Sequence, residues 1–319
     1  LMPFNESQYE NLKPGQSMAI PKEVFSKLFS PLTPQEQKEL DANKPSKRKE
    51  TKEQGKVSYQ EAKDILGEDF LGPEATEKTW GFQSEAIPIP FTREELIRAK
   101  ELNQFLTLRV DRLKDASGSY VSFTMQNADR IAGPNFQTAK KGKILLSVGD
   151  QWKLDSNFFT TETPSVQWAL VSRDVIPNST NKNHLQQTEA LIDYLKNQVF
   201  QGQPIPPEYQ EAIDAFEAQK PTILALMKTD WKTAALALEN LIINQMTRQT
   251  PVEALQDTTV YFDNTGKRLL ETNYTWTSRR SSDGNLVSFG FADALGASLD
   301  RWKPDNAYDF LGVVLSRHA

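Results

Sequence analysis

The residues able to act as nucleophiles, bases or metal ligands are few in this chain. There are no cysteines and only two histidines, His184 and His318. The absence of cysteine excludes disulfides, thiolate metal sites and a cysteine nucleophile. Neither histidine belongs to an HxxxH or HxxE pair, and no GxSxG motif is present for a serine nucleophile. We expect His184 at the surface beside a helix start and His318 in a frayed terminus.

Phosphate and calcium sites also have recognisable patterns. The chain contains no GxGxxG and no GxxxxGKS or GxxxxGKT sequence, so nothing indicates a phosphate loop. Asp300, Asp305 and Asp309, together with Asn306, form the densest acidic group near the C-terminus and could bind calcium through oxygen ligands. A solvated loop is the simpler interpretation of this group. The sequence therefore predicts no metal and no cofactor.

The chemistry that the sequence does favour is recognition by side chains of the C-terminal segment, where aromatic, arginine and asparagine residues are frequent. Trp276 lies in an alternating run of β-forming residues, so we expect it to be buried. Trp302 stands among charged residues, and burying it would draw those charges inward. We therefore expect Trp302, Arg301 and Tyr308 to be accessible to a partner; ordinary loop residues are the alternative. The candidate ligand-binding residues are Arg279, Arg280, Asp283, Asn285, Phe291, Asp293, Arg301, Trp302, Asn306 and Tyr308.

Composition narrows the class of partner. The chain has 319 residues, a net charge of −5 and 38% hydrophobic residues, enough for a packed core. No nucleic acid is expected, because its binding requires a basic surface. No apolar run is long enough to span a membrane, and the start lacks the basic and apolar regions of a signal peptide. We expect a soluble, cytoplasmic protein whose partner is a protein or a small-molecule ligand, although a removed leader is left open.

The N-terminal part divides into three segments. Residues 1–43 are predicted to form a helical segment. The charged run of residues 44–56 predicts a solvated, mobile linker, with a basic patch for nucleic acid as the alternative. Residues 57–91 contain a short helix and then a connector rich in proline and glycine. Residues 92–319 are the expected main α+β domain.

Hydrophobic periodicity divides the main domain into strands and helices. A helix is predicted to begin at Thr92 and to end near Asn103, and residues 180–250 are predicted to be largely helical. The residues from Asp263 to Gly266 predict a turn. The segments predicted to be strands are 104–113, 143–148, 166–172 and 258–262.

The C-terminal segment combines a tryptophan followed by hydroxyl residues, a polar loop and a closing strand. These features are Trp276-Thr277-Ser278, the loop around Trp302, and the run from Gly312 to Arg317. Over residues 270–317 they resemble the end of bacterial and phage members of the C-type-lectin-like fold. The resemblance implies an α+β fold: a C-type-lectin-like mixed domain with a helical insertion and an N-terminal helical or extended arm. It also implies that strand 104–113 pairs, directly or through one neighbour, with strand 311–317.

The chain does not contain the residues that two known activities of that fold require. Calcium-dependent sugar binding uses EPN or QPD and WND motifs; only Lys303-Pro304-Asp305 is similar to the first, and the second is absent. Formylglycine-generating enzymes require cysteines. We therefore predict a non-catalytic protein that binds a ligand or partner through C-terminal loops. The alternative is a structural or assembly protein in which residues 1–90 pack on a partner or a second copy, and an enzyme of unrecognised type is a third possibility.

Overall fold

The computed structural model describes residues 57–85 and 87–318, all of which belong to one compact unit. The segments 1–43 and 44–56, for which a helical segment and a linker are predicted, lie outside the described residues. Helices and strands are mixed, as the predicted α+β class requires. Within the described part, no helix combines the length and the apolar character needed to cross a membrane.

Five of the eleven helices in the described residues begin at a hydroxyl or amide side chain that accepts a hydrogen bond from the first turn, as at Ser58, Thr92 and Asn183. In chain order they are α1 (Tyr59–Leu66), α2 (Pro73–Trp80), α3 (Arg93–Glu101), α4 (Met125–Thr138), α5 (Gln151–Leu154), α6 (Asn157–Thr160), α7 (His184–Tyr194), α8 (Pro207–Thr229), α9 (Trp231–Asn240), α10 (Ile242–Thr247) and α11 (Pro251–Thr265). A 3₁₀ turn (Gly67–Asp69) follows α1, and a π-helical turn (Leu195–Val199) continues α7.

The strands form two four-stranded sheets and one small hairpin. They are β1 (Phe70–Leu71), β2 (Gln104–Arg109), β3 (Arg112–Lys114), β4 (Tyr120–Ser122), β5 (Gln167–Ser172), β6 (Tyr274–Arg280), β7 (Leu286–Asp293), β8 (Gly296–Trp302), β9 (Leu311–Gly312) and β10 (Ser316–His318). The first sheet has the order β1-β2-β5-β10, and the second has the order β8-β7-β6-β9. Strands β3 and β4 pair only with each other.

The first sheet is buried on both faces, since all six residues of β2 are buried although Gln104, Thr107 and Arg109 are polar or charged. Phe105 and Val171 point to a core that includes residues of α4 and α11. Leu106 and Leu170, the residues next to them, point to a core that includes residues of α1 and α3. Alternation along each strand therefore assigns neighbouring residues to different cores.

The predicted pairing of the first and last strands is confirmed. Strand β2 pairs antiparallel with β5, and β5 pairs antiparallel with β10, so one neighbour separates β2 from the C-terminal strand. The predicted strand 311–317 is nevertheless divided. Its first part, β9, pairs with β6 in the second sheet, and the chain then crosses to the first sheet as β10. The backbone N–H of Val314 in the crossing donates to Thr275 Oγ1 at 2.9 Å.

The prediction of a strand at residues 258–262 is wrong, because this segment lies within α11. Thr250 and Glu253 form a reciprocal capping box, Pro251 occupies the first turn, and Gly266 ends the helix in the left-handed conformation. The predicted turn is thus the end of the helix. Because α11 is buried on nearly all sides, its apolar and β-branched residues pack around the whole helix and conceal the helical period.

Two further predictions of local structure are corrected. The segment 143–148 is not a strand: Leu145 forms one parallel bridge with Ala297, and Leu146 and Val148 remain exposed. The connector expected before residue 91 contains β1 and α2. The indole of Trp80 at the end of α2 is buried edge-on against Phe123.

The second sheet lies between the first core and the helical block. Residues 180–250 are largely helical, as predicted, forming α7, α8, α9 and α10. Trp276 and Leu286 face this block, whereas Val287 and Phe289 face the core shared with α11. Trp276 is fully buried, as predicted, and belongs to the core between the second sheet and the helical block.

Candidate functional site

Eight of the ten predicted site residues fall into two groups, a paired polar group and an aromatic group in which Phe291 is exposed and Trp302 and Tyr308 are half-buried. Among the polar residues, the Nη2 atom of Arg279 lies 2.6 Å from Glu162 Oε1, and the Nε atom of Arg280 lies 2.7 Å from Glu239 Oε2. Burial raises the pKa of Glu162, while Arg279 acts to lower it. Both arginines connect β6 to neighbouring helical elements, so their charges are already compensated within the protein.

The turn between β6 and β7 forms a second internal network. Partial burial acts to raise the pKa of Asp283, but hydrogen bonds from Ser281, Asn285 and Arg301 hold that pKa below its ordinary value. Arg301 Nε donates to Asp283 Oδ2 at 2.6 Å, and its guanidinium lies 4.3 Å from the centre of the Trp152 ring. This arrangement fixes the conformation of the turn. We call the residues Arg279, Arg280, Asp283, Asn285 and Arg301 the polar hairpin.

The aromatic residues come together across the second sheet, with Tyr274 on β6, Phe291 on β7 and Trp302 on β8. The Tyr274 ring lies 4.8 Å from Phe291 and 5.3 Å from Trp302, measured between ring centres. Tyr308 stacks on Phe310 at 5.1 Å and contacts Trp302 at 5.5 Å. We call Tyr274, Phe291, Trp302, Tyr308 and Phe310 the aromatic cluster.

Phe291 is the most exposed ring of the aromatic cluster, with 38% of its surface accessible. It sits in a register shift between β7 and β8 and has a φ of +43°, which is rare for a bulky residue. The preceding Gly290 is needed because a Cβ there would come within 2.1 Å of Asn273 O. Such backbone strain is concentrated at functional sites, and here it accompanies the outward position of the ring.

Acidic residues surround the aromatic cluster. Asp293, Asp305 and Asp309 lie within three residues of a cluster ring in sequence, and the latter two are exposed. Asp300 is close enough to act on the pKa of Tyr274, which burial raises first and Asp300 raises further. The predicted residue Asn306 has a local role, since its Oδ1 accepts a hydrogen bond from the backbone N–H of Lys303 at 3.0 Å.

Sequence reasoning missed Tyr274 and Phe310 as members of this cluster. A signal for each was present. Tyr274 is two residues before Trp276 and therefore lies on the same face of β6, and Phe310 is two residues after Tyr308. What the sequence did not indicate is that the loop after β8 folds back onto the start of β6.

Both histidine predictions are wrong. His184 is fully buried, with its ring 4.7 Å from that of Trp276. Burial, and secondly the nearby Arg248, lower the pKa of His184 well below its ordinary value. His318 is not frayed, because it pairs with Ala169 in β10. We expected His184 to be exposed because it is next to the start of a helix. The first turn of α7 instead packs against the second sheet, which buries the His184 ring.

A cavity of about 470 Å³ lies near the end of the second sheet and was not anticipated from the sequence. Arg248, at the end of α10, and His318 are among the residues that line it. Burial lowers the pKa of Arg248 to about 9 and lowers that of His318. Perturbed pKa values within a cleft are typical of functional sites.

The largest groove, of about 1140 Å³, follows α7 and the turn after it. Its lining mixes both signs of charge and few apolar residues, so it has no single chemical preference. Within residues 57–85 and 87–318, no group of three or more His, Cys, Asp or Glu side chains is placed to hold a metal ion. The acidic residues considered for calcium are thus not brought together as a ligand set.

Comparisons with known proteins do not assign the chain to a family. No family model matches the sequence, and no match was found among curated proteins or solved structures.

Proposed function

We propose that this chain is a non-catalytic binding protein and that the aromatic cluster is its recognition surface. The observation that carries this proposal is the set of five contacting aromatic rings in which Phe291, packed on Tyr274 and Phe310, is exposed on a strained backbone. Trp and Tyr side chains are the residues most enriched where binding energy is concentrated. The polar hairpin, which the sequence placed in the same surface, supports the cluster from below by fixing the β6–β7 turn.

The shape of the surface favours a macromolecule as the partner. Five cavities of the described residues, the groove along α7 among them, contain no member of the aromatic cluster. Small-molecule sites are concave and bury most of their ligand, whereas protein interfaces are flat with central aromatic anchors. A protein segment is therefore a better fit than a small ligand.

The charge around the aromatic cluster specifies what that segment should contain. The exposed Asp305 and Asp309, with Asp293 and Asp300, make the rim acidic, and Lys303 lies instead 5.4 Å over the Trp231 ring. Complementary charge accelerates association and selects the partner. The proposed partner is a protein segment in which apolar side chains are flanked by lysine or arginine.

The C-type-lectin-like architecture is part of this proposal. The sheet in which β5 joins β2 to β10 supports it, because the resemblance implies that strand 104–113 and the C-terminal strand share a sheet. The packing of β1 and α1 into the cores of the same unit favours the binding function over the alternative in which residues 1–90 form an arm on a partner.

The proposal is tested by selecting peptides from a displayed random library on the wild-type protein, with depletion on the Phe291→Ser variant. Retained peptides should carry lysine or arginine beside apolar residues. Their affinity should fall by at least about tenfold for Phe291→Ser, as at other aromatic anchors, and should depend on salt.

Two matched variants make this experiment specific. Tyr120→Ser removes an exposed ring far from the second sheet in sequence and should leave binding unchanged. Asp305→Asn combined with Asp309→Asn should reduce the association rate and its salt dependence. Selection of acidic peptides, or of peptides that bind Phe291→Ser as well as the wild type, would refute the proposed surface.

A further inference from the structure

The loop of residues 303–310, which joins β8 to β9, is held in place by the start of α7. Three hydrogen bonds connect the two segments. They run from Asn181 N–H to Tyr308 O at 2.9 Å, from His184 N–H to Pro304 O at 3.1 Å, and from Gln187 Nε2 to Leu311 O at 2.9 Å. We call these three hydrogen bonds the latch. Because the loop carries Tyr308 and Phe310, the latch fixes the position of two of the five rings of the aromatic cluster.

The imidazole of His184, the middle residue of the latch in sequence, is enclosed without a hydrogen-bond partner. The residue is 1% exposed, and neither Nδ1 nor Nε2 reaches a partner among the described residues. Trp276 Nε1, on the ring that contacts His184, and Gln187 Oε1, one turn further along α7, are buried in the same way. Buried polar groups normally make hydrogen bonds, so access to water lowers the cost of opening the latch.

The surroundings of the imidazole disfavour its protonated form. Burial lowers the pKa of His184 most, and Arg248, whose Nη2 donates to His184 O at 3.3 Å, lowers it further. The other elements packed here present no charge, since β6 contributes Trp276 and Thr277 and the loop contributes Pro304 O. The backbone of Thr277 acts to raise the pKa, but neither ring nitrogen reaches it in hydrogen-bond geometry. A proton on the enclosed ring would place a second cation beside Arg248.

We infer that His184 is a pH-sensitive element of the recognition surface, and that mild acid opens the latch and releases the loop that carries Tyr308 and Phe310. An exposed histidine binds a proton at pH 5 that the enclosed ring excludes, so acid favours any state that exposes His184. Opening the latch exposes it by moving one helix end and one loop, without separating the strands of either sheet. The control of binding rests on the proposed function, whereas the opening of the latch does not.

Proton linkage sets the size of the effect. The closed state has the lower pKa, so the population of the open state grows as the pH falls. With a pKa of about 6.5 for an exposed histidine, lowering the pH from 7.5 to 5 should raise the equilibrium constant for opening by about 30-fold.

The test is hydrogen exchange, followed by NMR, of the backbone amides of Asn181, His184 and Leu311 at pH 7.5 and 5. Rates are corrected for the pH dependence of intrinsic exchange, which yields an opening constant for each amide. At pH 5 these constants should exceed those of Leu106 and Leu170 in the first sheet by at least about tenfold. Equal constants for the two sets would overturn the inference, because His184 would then be exposed only by global unfolding.

Three variants separate protonation from simple loosening. His184→Phe cannot be protonated, so its opening constants should change by less than about threefold between the two pH values. Gln187→Met removes one latch hydrogen bond and should raise the opening constants by about 2- to 10-fold at both pH values. His318→Asn, at a half-buried histidine outside the latch, should keep the wild-type response. An equal pH response in the wild type and His184→Phe would contradict the inference, and the wild-type comparison of amides decides it if His184→Phe does not fold.

The link to the recognition surface has its own measurement. The affinity of a peptide selected on the wild type should fall with the closed fraction of the latch as the pH is lowered, and it should fall less in His184→Phe. Opening of the latch with no change in affinity would overturn its control of the aromatic cluster. If no peptide can be selected, the proposed function fails, while the exchange experiment still decides whether acid opens the latch.

Discussion

Arg109 and Arg248 are both buried arginines, but the protein surrounds them differently. Arg109, at the end of β2, has 1% of its surface accessible and is clamped by Asp257 and Glu253 from α11. Those carboxylates raise the pKa of Arg109 against the opposing effect of burial. Arg248 has only neutral acceptors, and burial lowers its pKa to about 9. The first charge ties a helix to a sheet through carboxylates, whereas the second is held by neutral oxygens among the described residues.

The same contrast separates the polar hairpin from the aromatic cluster. The hairpin consists of charges that are paired internally, so it contributes to structure although its residue types are typical of recognition. The cluster keeps Phe291 exposed, and acidic residues are close to several of its members in sequence. In both comparisons, the residue type alone does not show whether a side chain is engaged within the protein.

The largest effect on stability is expected from Arg109→Met. This change leaves Asp257 buried without its cation, and removing one partner of a buried ion pair costs about 3–5 kcal/mol. Arg248→Met leaves no carboxylate unpaired among the described residues and should cost at least about 2 kcal/mol less. Urea unfolding of the two variants measures the difference. Equal destabilisation would remove the basis for treating the two arginines differently.

Trp276→Ala and Trp302→Ala compare the core with the surface of the second sheet. Trp276 is fully buried, so its removal should lower the free energy of unfolding by roughly 3–5 kcal/mol. Trp302 is half-buried in the aromatic cluster, so Trp302→Ala should lower the free energy of unfolding by less than about half as much as Trp276→Ala. Thermal or urea denaturation gives both values. If Trp302→Ala is as damaging as Trp276→Ala, the aromatic cluster belongs to the core and is not a recognition surface.

His184 should make the protein less stable in mild acid. Its pKa is lowered in the folded state, so the unfolded chain binds a proton that the folded chain excludes, and stability falls as the pH drops below the unfolded pKa. With an unfolded pKa of about 6.5, the loss between pH 6.5 and 5 is about 2 kcal/mol.

His184→Phe keeps a ring against Trp276 but cannot bind a proton. The difference between its acid loss of stability and that of the wild type therefore measures the contribution of His184. His318→Asn is the matched variant, since the pKa of His318 is also lowered but the residue is only half-buried. Its effect on the acid slope should be smaller. An unchanged acid slope in His184→Phe would mean that His184 is protonated in the folded protein.

The smallest effect on stability is expected from Phe291→Gly. Glycine adopts the positive φ without strain, which offsets the loss of a partly exposed ring, so the free energy of unfolding should change by less than about 1 kcal/mol. Peptide binding should nevertheless be lost, because the anchoring ring is gone. A large loss of stability in chemical denaturation would indicate that Phe291 supports the sheet instead.

Local sequence signals predicted the elements whose ends are defined by caps. Ser58 and Thr92 begin helices as expected, and the helical block after residue 180 is present. The predicted strands 104–113 and 166–172 are present as β2, which ends already at Arg109, and as β5. These predictions succeeded because capping and alternation depend on residues that are close in sequence.

The strand prediction for residues 258–262 was wrong because the conformation of this segment depends on contacts that are distant in sequence. A buried helix needs apolar residues on every side, so α11 has the composition of a strand, and only its capping box at Thr250 and Glu253 revealed the helix. Segment 143–148 has strand-like residues but only one bridging partner at Leu145. Tertiary surroundings decided both cases.

By itself, the sequence determined the mixed class, the absence of cysteine chemistry, the burial of Trp276 and the concentration of aromatic residues near the C-terminus. Only the tertiary structure decided which charges are paired. Arg279 and Arg280 form ion pairs with glutamates that are distant in sequence, whereas Arg248 donates hydrogen bonds only to neutral oxygens. The strength of a charge depends on burial and on partners brought together by packing, and neither is encoded by the residue type or its sequence neighbours.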